Sequence, residues 1–189
     1  MMKIVILSGS NVGNKTRTAM EYIEKAVIDK YPDKEVTALD LADYDLQFSD
    51  GRPYHEYDGD TKYVTETIMD ADAIIIGSPI FQASIPATLK NIFDLLPVNA
   101  FMDKVVSMFV TAGSAKHYLV IEQQLKPILS YMKAHIVPTY VFMEEEDFLK
   151  KEIVNDDIIF RIERLVEDTV RTTDAFRQVR EAEAALYDF

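Results

Sequence analysis

Cysteine is absent from the 189-residue chain, and that one absence excludes disulfides, thiolate nucleophiles and zinc–thiolate sites. It also suits a reducing compartment, so a cytoplasmic location is expected. Basic residues are scarce: 20 Lys and Arg stand against 32 Asp and Glu, a net charge of −12. Such a surface repels nucleic-acid backbones and anionic lipid, and no basic cluster reverses the balance, so neither nucleic acid nor membrane is an expected partner. Long apolar runs are missing too. Met1 to Ser8 holds one lysine and four consecutive strongly apolar residues, too few for a signal-peptide core and far short of a membrane span. That segment reads as a first strand.

What is present is the material of one ordinary domain, residues 1–189, with 48% hydrophobic residues. Four short apolar runs, Ile4–Leu7, Ala73–Ile76, Val105–Val110 and Ile136–Phe142, are bounded by turn residues and rich in Val and Ile. They fit strands buried on both faces, as a parallel sheet requires. A fifth run, Glu35–Asp40, alternates and belongs nearer an edge. Between the runs lie helical periodicities: Ala19, Ile23, Ala26 and Val27; Val64, Ile68 and Ala71; Ile85, Leu89, Ile92, Phe93 and Leu96; Ile121, Leu125, Ile128, Leu129 and Met132. Pro127 should kink the last of these. A long C-terminal helix carries Ile158, Ile162, Leu165, Val166 and Val170 as one stripe, and the tail after Arg180 is expected to fray or to pack on a partner subunit. The alternation β-α-β-α-β predicts an α/β doubly wound, five-stranded parallel sheet. Order 2-1-3-4-5, the flavodoxin-like arrangement, is the commoner one at this length.

Only six glycines occur, so their positions are informative. Gly9, Gly77 and Gly113 each follow a predicted strand, and Gly13 lies in the first loop. In open α/β sheets ligands bind in the crevice outside those strand ends. Three glycines there point to a flat ligand approaching the backbone, although each could equally cap a strand. The first loop, Ser8 to Thr18, is crowded with hydroxyls and amides and opens a helix. Its N–H groups, the Ser10, Thr16 and Thr18 hydroxyls and the Lys15 ammonium can hold a phosphate. An ordinary cap by Asn14 or Thr16 is the plainer alternative. The loop falls one residue short of the pattern G-x-x-x-x-G-K-[ST], with Asn14 at the last glycine position. A small nucleotide kinase therefore stays open, although no later strand ends in the Asp that such a site uses for Mg²⁺. The dinucleotide fingerprint G-x-G-x-x-G is missing, because position 11 is Asn. The second loop, Gly77 to Asn91, combines two prolines, an aromatic and small residues. It reads as a rigid apolar ledge with backbone donors at its edge, or else as a proline-held loop with Phe81 in the core.

The Ser8–Thr18 loop, Gly77-Ser78-Pro79-Ile80-Phe81 through Leu89-Lys90-Asn91, Asp94-Leu95-Leu96-Pro97, Thr111-Ala112-Gly113-Ser114 with His117, and Leu125-Lys126-Pro127 together resemble the NAD(P)H-dependent FMN reductases. The branch serving sulfonate utilisation and the related azo and quinone reductases look most similar, over residues 3 to about 145. The resemblance implies that Ser10, Lys15, Thr16 and Thr18 surround the FMN phosphate. It implies that Pro79, Ile80, Phe81 and Gln82 line the isoalloxazine, with backbone donors from 81 and 82. Thr111, Ala112, Gly113 and Ser114 should meet its pyrimidine side, with His117 a hydrogen bonder at a helix start. Many relatives carry Arg where this chain has Val12, which leaves NADPH or NADH open as co-substrate, with Lys15 or Arg17 as substitutes. Gln123-Gln124 stands where sulfonate-type reductases have an extra aromatic, which implies FMN held as a prosthetic group.

On this reading hydride passes from nicotinamide to flavin and on to an acceptor: free flavin for a partner monooxygenase, a quinone or an azo compound. The protein supplies position and electrostatics, no side chain acts as acid or base, and no metal is involved. A non-enzymatic flavodoxin-type electron carrier is the second reading. The resemblance adds a homodimer or homotetramer. The acidic loop Asp43–Asp60 is expected to be a solvated loop of modest order, with a lid over the flavin or a dimer contact as the alternatives, and it fits no EF-hand pattern.

Overall fold

The five apolar runs form one parallel sheet in a computed structural model, which describes residues 1–186. Its strands are β1 (Lys3–Ser8), β2 (Glu35–Asp40), β3 (Ala73–Pro79), β4 (Val105–Thr111) and β5 (His135–Met143). They lie in the order β2-β1-β3-β4-β5, with the alternating run at an edge as its pattern required. Parallel neighbours need crossovers, and the helices α1 (Lys15–Lys30), α2 (Gly59–Asp70), α3 (Ala87–Leu95) and α4 (Lys126–Tyr131) lie on them. A last helix, α5 (Asp156–Ala185), follows the sheet. No helix among the described residues is long and apolar enough to cross a membrane.

Every residue of β3 and β4 is buried, because successive side chains point to opposite faces and both faces are covered. Val5, Leu7, Ile74, Ile76, Val106 and Met108 belong to one core with α2, α3 and α4. Ile4, Ile6, Ala73, Ile75, Val105 and Phe109 belong to the other, against α1 and α5. Interdigitation is tight enough to dictate residue size. A Cβ placed on Gly77 would sit 2.1 Å from Phe109 Cζ, and one on Gly9 would sit 2.9 Å from Leu89 Cβ.

Four details depart from the sequence expectation. Pro127 sits at the second residue of α4, directly after a wide π-helical turn, Ile121–Leu125. A proline removes one N–H and crowds the carbonyl four residues back, and an over-wide turn is one way to absorb that. In β5 the register against β4 slips between Val106 and Met108, beside Pro138, which cannot donate to the ladder and is tolerated at this edge. A small antiparallel hairpin, β6 (Phe148–Leu149) with β7 (Glu152–Ile153), turns at Lys150 (φ +57°) without the glycine that announces such turns. The tail after Arg180 continues α5 to Ala185 instead of fraying; its last three residues lie outside those described.

The loop 43–60 is also more ordered than expected. Asn91 on α3 accepts from Ser49 N–H (2.9 Å) and donates to the Gln47 carbonyl (2.9 Å). Thr61 accepts from Gln47 N–H (2.9 Å), and the fully buried Tyr57 donates its hydroxyl to Asp50 (2.8 Å). Arg52 and Tyr57 hold the Asp50 carboxyl well below the usual carboxylate range. The loop is thus a strap on α2 and α3.

Candidate functional site

Because β1, β3 and β4 are neighbours in the sheet, the loops leaving their carboxyl ends converge. Backbone bonds knit them: Gly9 N–H donates to Gly77 O (2.8 Å), Ile80 N–H to Thr111 O (3.1 Å), and Ala112 N–H to Met143 O (2.9 Å). Between them opens a cleft of about 340 Å³ with three walls, 12–16, 79–81 and 111–113. That volume is at the small end for organic ligands.

The first wall is the start of α1. Asn14 occupies the N-cap position, yet its side chain caps nothing. The leading N–H groups of α1 therefore keep their donors, and the helix dipole adds positive potential there. Thr16 and Thr111, both buried, share a hydroxyl–hydroxyl bond of 2.8 Å that ties α1 to the end of β4. Two hydroxyls joined by one bond leave one O–H hydrogen for a third group. Lys15 stands on this wall and is ion-paired with the exposed Glu145. Arg17 is held by Asp40 (2.5 Å) and Asp43 (2.6 Å), and the hydrogen bond to Asp43 raises its already high pKa. Neither cation is the free substitute for arginine at position 12 that the sequence allowed.

The second wall is the ledge Pro79–Ile80–Phe81, where Phe81 is 37% exposed rather than in the core. A tight turn follows, with Phe81 N–H bonded to Ser84 O (3.0 Å) and Ser84 N–H to Phe81 O (3.0 Å). Since Phe81 uses its N–H inside the turn, the expected donor at 81 is corrected. The N–H groups of Gln82 and Ala83 have no protein partner among the described residues. The third wall is Thr111–Ala112–Gly113. Nothing lies within 4 Å of a Cβ built on Gly113, so this glycine does leave room for a ligand. Gly9 and Gly77 are small for packing against Leu89 and Phe109, and the ligand reading of those two is withdrawn.

Eight of the twelve residues singled out from the sequence stand on the walls: Lys15, Thr16, Pro79, Ile80, Phe81, Thr111, Ala112 and Gly113. Ser10 does not; it is buried and bonds its own loop at Val12 O (2.5 Å). Thr18 is buried in α1, whereas Gln82 and Ser114 lie beside the walls. His117 is exposed on a short turn and makes no side-chain hydrogen bond among the described residues, so the bonding role expected of it is not seen. Sequence reasoning did not single out Val12, Gly13 and Asn14 as lining residues, nor Glu145. Glu145 lies 130 residues from its lysine, and no local pattern announces such a pair.

Comparison with known proteins finds relatives of the whole chain. The family model described as NADPH-dependent FMN reductase matches residues 2–148. A NAD(P)H-dependent FAD/FMN reductase of Geobacillus thermodenitrificans is 39% identical over 170 residues, 89% of this chain and 92% of its own length. The NADH-dependent FMN reductase SfnF of Pseudomonas fluorescens is 28% identical over 161 residues, 85% of this chain and 86% of that protein. Among solved structures, the apo form of an NADH:FMN oxidoreductase (EMOB) superposes with a TM-score of 0.76 at 26% identity, covering 95% of this chain and 90% of that one.

Proposed function

The chain belongs to the NADPH-dependent FMN reductase family, and from that premise we propose that it is an NAD(P)H-dependent FMN reductase working in the cleft above β1, β3 and β4. Membership in a family of reductases sets aside the small nucleotide kinase and the non-enzymatic flavodoxin-type carrier.

The observation that carries the placement is the uncapped start of α1 opening on the cleft. A helix start without a side-chain cap is a ready anion site, and the Thr16–Thr111 hydroxyl pair and Lys15 add further donors beside it. These residues fit the phosphate of FMN. The apolar ledge 79–81 and the open backbone at Gly113 fit the faces of a planar ring system. Bound there, FMN would supply acceptance of hydride from the nicotinamide. The chain itself orients and polarises. The partnerless N–H groups of Gln82 and Ala83 are the donors on hand for the ring edge where negative charge develops on reduction. No side chain on the three walls is needed to move a proton.

The missing cysteines favour a cytoplasmic location. An exposed apolar groove between α3 and α4, with Val98 and Tyr131 on its rim, favours a homodimer or homotetramer. The electron acceptor is free flavin passed to a monooxygenase, a quinone or an azo compound. One titration tests the core reading: FMN and riboflavin added to the wild type and to Lys15→Glu. The wild type should prefer FMN. Lys15→Glu, which puts a carboxylate at the helix start without touching the buried Thr16, should lose that preference by about tenfold or more while keeping its Tm. Equal affinities for the two flavins in the wild type would remove the phosphate assignment. Oxidation of NADH or NADPH dependent on added FMN is the matching activity measurement.

A further inference from the structure

We propose that Gln124 is a positioning residue, whose side-chain amide holds the turn Phe81–Ser84 in a strained conformation that keeps the Gln82 and Ala83 N–H groups free for the flavin edge. The proposal rests on the reading of the cleft as a flavin site.

The turn is unusual in its chemistry. Gln82 has φ +49° and Ala83 φ +59°, two consecutive left-handed residues, neither of them glycine. A two-residue hairpin loop of this hand ordinarily contains Asn-Gly or its like, because a Cβ disfavours the left-handed region. Such strain persists only where the surroundings over-determine it. Three restraints do so here. The Phe81–Ser84 bridge closes the turn, Ile80 N–H bonded to Thr111 O fixes its entry, and Gln124 fastens its far side.

Gln124 is well suited to that task. Its Oε1 accepts from the Ser84 hydroxyl (2.5 Å), and its Nε2 donates to the Ala83 carbonyl (3.2 Å). One amide therefore grips both the second strained residue and the residue that closes the turn. Acceptor and donor are engaged together, so a flipped amide would oppose a carbonyl with a carbonyl. Gln124 lies in the π-helical turn Ile121–Leu125, forty residues further along the chain. An over-wide turn changes the direction in which the following side chains leave the helix, and such turns recur at functional sites. Gln123, next to it, is exposed and makes no side-chain hydrogen bond among the described residues, so it serves as the internal control.

The experiment compares the wild type, Gln123→Ala, Gln124→Ala, and Gln124→Ala with Ala83→Gly. In flavin-free protein, amide exchange at Ser84, whose N–H closes the turn, should be faster in Gln124→Ala only. With flavin added, Gln124→Ala should weaken FMN and riboflavin alike by about two- to tenfold, the scale of one lost hydrogen bond. It should also lower the midpoint potential of the bound flavin. Glycine takes φ +59° without strain, so Ala83→Gly should restore exchange protection, affinity and potential. A mere packing defect in the π turn would not be healed from position 83. Unchanged exchange in Gln124→Ala, or no rescue by Ala83→Gly, overturns the proposal. A wild type that binds neither flavin overturns the reading of the cleft instead, and it does so before any variant is made.

Discussion

At the scale of single residues, the cleft is controlled by which charges are already partnered. Lys15 stands at the start of α1 and is paired with Glu145, which is mostly exposed. An arriving phosphate must share that ammonium with a carboxylate, and the carboxylate repels the phosphate. Glu145→Gln should therefore tighten FMN by about two- to fivefold, the range of an exposed ion pair, and leave riboflavin unchanged. Fluorescence titration of both flavins checks this; tightening of both would mean that the residue acts on the ring end. Ser10 shows the opposite situation. Its hydroxyl belongs to the type of residue that binds phosphate, yet Val12 O takes it, and its role is to brace the loop.

At the scale of elements, the strand ends are set by packing before any ligand arrives. Gly77 belongs to β3 and passes directly against the ring of Phe109 on β4. Gly77→Ala should cost about 1–3 kcal/mol through overpacking, seen as a drop of roughly 2–4 °C in Tm per kcal/mol at this length. Phe109→Leu in the same chain should recover part of the loss. If Gly77→Ala melted like the wild type, the packing role would fall and the ligand role would return. The strap 43–60 makes a second prediction. The Asp50 carboxyl is held below its ordinary pKa by Arg52 and Tyr57. A lowered folded-state pKa means a contribution to stability that is complete above the unfolded value, about 3.9, and shrinks as the pH falls below it. Asp50→Asn should accordingly melt slightly earlier than the wild type at pH 7. The gap should narrow below about pH 4; a gap that widened in acid would reverse the assignment.

At the scale of the whole molecule, charge sets the terms for the nicotinamide. The chain carries −12, and Lys15 and Arg17 beside the cleft are both paired with carboxylates. NADPH brings one phosphate more than NADH into that field. kcat/KM for NADH should match or exceed that for NADPH at low salt, and added salt should raise the NADPH value more, because screening relieves the larger repulsion. Steady-state rates at two ionic strengths decide it.

The strand runs and the helix faces were legible in the sequence because hydrophobic burial is periodic, and the period is written locally; the sheet order came instead from the few topologies that right-handed crossovers allow. Ile4–Leu7 and Ala73–Ile76 announce buried parallel strands without any knowledge of what covers them. The polar loop opening α1 and the double-proline ledge were legible for the same reason, since turn chemistry acts over a few residues. Only the tertiary structure could decide matters that depend on distant partners. It gave Gly9 and Gly77 to packing, paired Lys15 with Glu145, fastened the strap through Asn91, and set Gln124 against the strained turn at 82–83. Those contacts join residues 32 to 130 positions apart along the chain. Their energies depend on side-chain geometry in space, which the linear order of residues constrains but does not contain.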